Sequence, residues 1–157
     1  MPVHKIVLFQ IFTSNICPKL RVGRNYRREL KINAYEWTSR QNAVAPYDFE
    51  LTASSGEQVL LDVKSTSGDF LAPLHISMAE ILPMADVDKR YDLYRVYSLT
   101  ERGGKLRVAE DMRKFAISLL DIMAILPNGL RVDGISVDPA QLPFGNEQEL
   151  LFPDEVD

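Results

Sequence analysis

The stretch that decides the fold is YDFEL at residues 47–51, followed by QVLLDVK at residues 58–64. The first segment alternates polar and apolar residues, and the second is rich in aliphatic and β-branched residues, as strands are. The sequence SSG at residues 54–56 breaks the pattern between them. We therefore predict a β-hairpin over residues 47–64.

The length of the hairpin loop decides which side chains face each other. A three-residue loop with Gly56 in the left-handed conformation places Ala53 opposite Glu57, and Asp48 then lies opposite Asp62. A two-residue turn would instead place the two aspartates on opposite faces of the sheet. In the three-residue register the two carboxylates come within roughly 5 Å at Cβ, and a cation between them is needed if both are to be ionised.

Lys64 extends this pair of acids into a candidate active site. Because side chains alternate along a strand, Asp62 and Lys64 project from one face while Leu61 and Val63 project from the other. Asp48 and Asp62 would hold Mg²⁺ (or Mn²⁺) through oxygen, and Lys64 would orient a water molecule or stabilise negative charge, as metal-assisted phosphodiester hydrolysis requires. The plain alternative is a solvated strand face with a surface ion pair.

Composition narrows the classes of protein and of metal site. The chain of 157 residues, 46% hydrophobic and 25% charged, is long enough for one globular domain and has no run that spans a bilayer. A single cysteine and two histidines exclude an internal disulfide and a zinc cage, so any metal must be bound by oxygen. We identify no signal peptide and expect a cytoplasmic protein without a membrane contact.

Charge is distributed unevenly along the chain. Residues 1–40 carry eight Lys or Arg and two acids, whereas residues 41–157 carry ten Lys or Arg and twenty acids. The basic residues concentrate at 19–31, and we take Arg24, Arg27 and Arg28 as candidates to bind the phosphate backbone of DNA. A solvated helix surface is an equally good interpretation of this stretch.

The rest of the chain predicts an α/β fold with a central mixed sheet, the 47–64 hairpin in its middle and helices on both sides. We predict a short strand at residues 73–76, and Ser77 followed by Glu80 forms a capping-box pattern that opens a helix. Residues 91–99 alternate like a buried strand, and Asp111 is the predicted cap of a second helix. We expect Trp37 to be a packing anchor next to the site.

Several of these motifs follow one another in the order of a known family. PYDFE at 46–50, DVKST at 62–66, HIS at 75–77 with Glu80 after it, and YDLYRV at 91–96 resemble the family named after the C-terminal domain of the plant protein NO VEIN. That family resembles the PD-(D/E)xK nucleases, whose signature is similar to residues 46–48 and 62–64. The resemblance covers residues 36–98, and residues 129–144 are similar to a tail found in some members.

The resemblance implies a restriction-endonuclease-like core and Mg²⁺-dependent cleavage of DNA by Asp48, Asp62 and Lys64, in a restriction, defence or DNA-processing system. It also implies a third acid from a preceding helix, for which Glu36 or Glu29 are the candidates. Partners would be DNA and a larger helicase or restriction-system protein, and a homodimer would allow both strands to be cut.

Other residues and alternatives stay open at this point. Ser65 and Thr66 follow the lysine and are candidates to bind phosphate, although hydroxyl residues often end strands. Arg95 lies on a mostly apolar strand and needs a partner if it is buried, and that partner would be an acid such as Glu80 or the DNA.

We divide the chain into a basic N-terminal segment (1–35), a nuclease-like core (36–126) and an acidic C-terminal extension (127–157). Two other functions compete with catalysis. One is a catalytically inactive nuclease fold that binds DNA or a partner protein, and the other is a structural domain of a larger machine.

Overall fold

The computed structural model describes residues 32–151, which form an α/β fold around a six-stranded sheet. The strands are β1 (Ile32–Glu36), β2 (Phe49–Ala53), β3 (Gln58–Ser65), β4 (Leu74–Ser77), β5 (Arg90–Thr100), β6 (Gly103–Ala109), β7 (Gly134–Val137) and β8 (Gln148–Leu151). The helices are α1 (Thr38–Gln41), α2 (Met78–Met84) and α3 (Arg113–Ala124), with a 3-10 turn at Pro139–Gln141.

The sheet is mixed, as predicted. Its order is β1-β2-β3-β5-β6-β8, and β4 pairs with β7 in a separate two-stranded sheet. Among the strands of residues 32–151, β3 and β5 are the one parallel pair, because β4 and α2 lie between them in the chain and return it to the same end of the sheet. Strands β7 and β8 come from the C-terminal extension and complete both sheets.

The hairpin has the three-residue register. Phe49 pairs with Leu61, and the amide of Ala53 donates to the carbonyl of Glu57 at 2.9 Å. Gly56 has a φ of 86°, which a residue with a side chain adopts only with strain. The prediction that Asp48 and Asp62 lie at the same level of neighbouring chain segments is therefore confirmed.

The two faces of the sheet carry separate hydrophobic clusters. Leu61 and Val63 belong to the cluster that also contains Trp37 and Phe49, whose rings stack at 5.5 Å between centroids. Leu60 belongs to the opposite cluster, which the buried side chains of α2 and the start of α3 complete. Asp62 and Lys64 share the face of Leu60, so the predicted site lies on the side that α2 covers.

We predicted the residues that cap the N-termini of α2 and α3. Ser77 and Glu80 form the predicted capping box at the start of α2. The prediction for α3 is wrong in detail, since the cap residue is Met112 and Asp111 precedes it in the left-handed conformation with a φ of 47°. Aspartate tolerates that conformation, and its carboxylate still accepts a hydrogen bond from the amide of Arg113 at 3.4 Å.

Over residues 32–151 no helix is both long and apolar enough to cross a membrane.

Candidate active site

The hairpin brings Asp48 and Asp62 to one level on the α2 side of the sheet. Asp48 directly precedes β2, and the register of Phe49 with Leu61 continues to the two aspartates. Both residues are buried, with 4% of Asp48 and 6% of Asp62 exposed. Two carboxylates therefore share a poorly hydrated position.

Backbone contacts hold the acidic pair in place. The amide of Asp48 donates to the carbonyl of Leu61 at 2.9 Å, and Oδ2 of Asp48 accepts the amide of Val63 at 3.2 Å. The Tyr91 hydroxyl donates to the carbonyl of Pro46 at 2.6 Å and anchors the segment that leads into Asp48. Tyr91 is fully buried.

The ammonium of Lys64 contacts two carboxylates, one of which belongs to the acidic pair. Its Nζ lies 2.9 Å from Oδ2 of Asp62, and it also contacts Oε1 of Glu80 on α2 directly. The Lys64 side chain is 19% exposed and that of Glu80 is 13% exposed, so both contacts are largely shielded from water. Glu80 thus belongs to the site as well as to the helix cap.

The charges in this cluster shift two pKa values. Burial raises the pKa of Asp62 to about 6, the charge of Lys64 opposes the rise, and the charges of Glu80 and Asp48 add to it. Burial disfavours the ammonium of Lys64, but the charges of Asp62 and Glu80 outweigh it and the pKa of Lys64 is raised. The site therefore has an excess of buried negative charge, which favours a further cation.

The donor chemistry fits a hard divalent ion. Oδ2 of Asp62 is buried and contacts the ammonium of Lys64 at 2.9 Å. Carboxylate oxygens of Asp48 and Asp62 are the ligands that Mg²⁺ and Mn²⁺ prefer. Over residues 32–151 no three acidic, His or Cys side chains form a metal-holding group on their own.

Further acids lie beside the pair. Glu36 on β1 pairs with Glu50 on β2, so Glu36, a candidate third acid, is one strand beyond the hairpin and exposed. Glu50 forms an ion pair with Lys89 at 3.0 Å and accepts a hydrogen bond from the Tyr47 hydroxyl at 3.4 Å. The other candidate, Glu29, lies outside the described residues.

The predicted nucleic-acid contacts are not gathered at Lys64. Ser65 is the last residue of β3 and projects to the face opposite Lys64. Oγ1 of Thr66 accepts the amide of Gly68 at 3.1 Å and closes a local turn. The structure does not describe the three basic candidates, Arg24, Arg27 and Arg28.

Arg95 is a buried arginine on the strand next to Lys64. The parallel register pairs the two residues, and 2% of Arg95 is exposed. Its Nη2 donates to the carbonyl of Ala72 at 2.6 Å, in the loop between β3 and β4. Glu80, which we considered as its partner, contacts Lys64 and Ser77 instead. Burial lowers the pKa of Arg95, and the charge of Asp69 opposes that shift.

Sequence reasoning missed the link between Glu80 and Lys64. The capping-box pattern explained Glu80 completely as a helix-start residue, and nothing in a 16-residue separation predicts a contact with Lys64. The available signal was indirect, since α2 follows β4 directly and its first turn carries an acid.

Comparison with known proteins identifies a family for this arrangement. The family model described as "Protein NO VEIN, C-terminal" matches residues 21–109, which is more than half of the chain. The match includes the whole acid and lysine cluster and begins inside the basic segment. Residues 129–144 lie outside it. No curated protein and no solved structure matches the chain.

Proposed function

This chain belongs to the family described as Protein NO VEIN, C-terminal, and we propose that it is a Mg²⁺- or Mn²⁺-dependent nuclease that hydrolyses phosphodiester bonds of DNA. The observation that carries the proposal is the convergence of buried Asp48, buried Asp62 and Lys64 on one face of a strand pair. The similarity of residues 46–48 and 62–64 to the PD-(D/E)xK signature supports the same assignment.

Each residue would have a distinct role. Asp48 and Asp62 would hold the metal ion, which supplies a nucleophilic water near neutral pH and neutralises phosphate charge. A water molecule would lose a proton to solvent and form a new bond to phosphorus, the bond from phosphorus to one sugar oxygen would break, and that oxygen would take up a proton from solvent. Lys64 would present its ammonium to the phosphate oxygens, where negative charge develops.

A second candidate function is DNA or partner binding without cleavage. The low exposure of both aspartates and the two contacts that occupy the Lys64 ammonium favour it. In that case the buried ion pairs would be structural.

Plasmid cleavage tests the proposal. The wild-type chain should nick or linearise supercoiled DNA with Mg²⁺ or Mn²⁺ and should be inactive in chelator. Asp62→Asn and Lys64→Met should each lower the rate by about 10²-fold or more, because each removes a group that touches the reacting phosphate or its metal ion. Two exposed residues of α3 provide matched controls, Asp121→Asn and Lys114→Met, which should keep wild-type activity.

Two results would contradict the nuclease assignment. One is the absence of metal-dependent cleavage of supercoiled, linear and single-stranded DNA. The other is cleavage that Asp62→Asn retains. Binding without cleavage, with an affinity that falls steeply as salt rises, would support the second candidate.

A further inference from the structure

Glu80 uses one carboxylate oxygen to start helix α2. Its Oε2 accepts the amide of Ser77 at 2.5 Å and the Ser77 hydroxyl at 2.9 Å, and its own amide donates to Ser77 Oγ at 3.3 Å. These contacts satisfy backbone donors that the first turn of a helix leaves unpaired. The contact with the Ser77 amide, a backbone group, holds the carboxylate in one orientation.

The other carboxylate oxygen of Glu80 points away from the helix and contacts a side chain of the sheet. Oε1 contacts Nζ of Lys64, and the same Nζ lies 2.9 Å from Oδ2 of Asp62. The ammonium is therefore held between an acid of its own strand and an acid of the covering helix. A lysine side chain has a flexible stem of four methylene groups, so a second contact greatly reduces the positions that its ammonium can occupy.

Capping alone does not explain this arrangement. Glutamine serves in a capping box as well as glutamate does, because the cap needs only an acceptor oxygen. A capping residue also has no need to direct its second oxygen at a lysine whose side chain is only 19% exposed. A substitution can therefore remove the charge of Glu80 and keep its role at the start of the helix.

We propose that Glu80 is a positioning residue that holds the ammonium of Lys64 beside Asp62. This inference rests on the proposed nuclease function, in which Lys64 meets the phosphate. Glu80 itself does not touch the reacting atoms. Its carboxylate connects the start of α2 to the site, so the placement of the ammonium depends on the docking of that helix.

The reactivity of Lys64 tests the contact without any reference to catalysis. Glu80→Gln keeps the cap and removes the charge, so acetylation of Lys64 by a small activated ester, followed by mass spectrometry, should accelerate about fivefold relative to Lys114. Ser77→Ala keeps the charge, and it should lower the melting temperature while Lys64 reacts at the wild-type rate. Glu101→Gln, in the exposed turn between β5 and β6, should change neither quantity.

A second variant guards against a folding defect in Glu80→Gln. Glu80→Asp keeps the charge but withdraws it by one methylene, and it should raise the reactivity of Lys64 in the same direction. Wild-type reactivity of Lys64 in both variants would overturn the proposal and leave Glu80 as a capping residue only.

Cleavage kinetics then connect the contact to function. Glu80→Gln should lower kcat about tenfold with KM for DNA unchanged, whereas Ser77→Ala should keep kcat. An unchanged kcat together with a more reactive Lys64 would overturn the positioning role while the nuclease assignment stands. A wild-type chain without cleavage would refute the nuclease assignment, and the acetylation result would still decide whether Glu80 holds Lys64.

Discussion

Replacing Asp62 by asparagine is expected to stabilise the fold at neutral pH, although the same change removes a residue that we assign to catalysis. The buried carboxylate lies near Glu80 and Asp48, and Lys64 is its single neighbouring cation among the groups that shift its pKa. Asparagine has nearly the same shape and no charge. It therefore resembles the protonated side chain that the folded environment prefers.

The size of the effect follows from the pKa. Burial, together with the charges of Glu80 and Asp48 and against that of Lys64, raises the pKa of Asp62 from 3.8 to about 6. The folded chain then holds this proton more tightly than the unfolded chain, so the contribution to stability is complete below pH 3.8 and is lost as the pH rises through about 6. The loss amounts to about 3 kcal/mol, since each pH unit between the two values is worth about 1.4 kcal/mol.

Urea unfolding in chelator measures this difference. The single tryptophan, Trp37, is buried against Phe49 and reports the transition by fluorescence. At pH 7.5 Asp62→Asn should be about 3 kcal/mol more stable than the wild type, and near pH 4 the difference should shrink to about 0.5 kcal/mol. Asp121→Asn, on the exposed side of α3, should show no such dependence on pH.

Two outcomes would refute this reasoning. One is a variant that is less stable than the wild type at pH 7.5, and the other is a stability difference that does not change with pH. Added Mn²⁺ should reverse the order, because an ion that binds only the folded state stabilises it and Asp62→Asn lacks one of the two carboxylates.

Two further substitutions test how the surroundings of the site are held. Arg95→Lys should lose the bond from the guanidinium to the Ala72 carbonyl and lower the free energy of unfolding by about 1–3 kcal/mol, and a change below about 0.5 kcal/mol would contradict the role of that bond. Gly134→Ala would place a Cβ 2.6 Å from Cε1 of His75, so its melting temperature should fall, whereas Gly145→Ala, whose nearest atom would be 3.5 Å away, should melt like the wild type. Equal melting temperatures for the two alanine variants would show that the small sheet adjusts freely.

The features that could be predicted from the sequence are local ones. The register of the hairpin follows from Gly56, which makes a three-residue loop possible, and from the alternation on both sides of it. That register places Asp48 level with Asp62, and the period of a strand puts Lys64 on the same face. The capping box at Ser77 depends only on residues three apart.

The features that could not be predicted depend on contacts between distant elements. The partner of Arg95 is a backbone carbonyl, and because every residue carries one, a sequence holds no sign of which carbonyl is used. Lys64 contacts both Asp62 and Glu80 because α2 packs on the face of the sheet that carries Leu60, and that packing depends on the whole hydrophobic cluster between them.

By itself the sequence determined that two acids and a lysine share one face of a hairpin, because turn chemistry and strand periodicity act over a few residues. Only the tertiary structure decided that these groups are buried, that Glu80 joins them and that the pKa of Asp62 rises to about 6. Burial and charge density depend on which elements cover the sheet, and that is a property of the assembled fold.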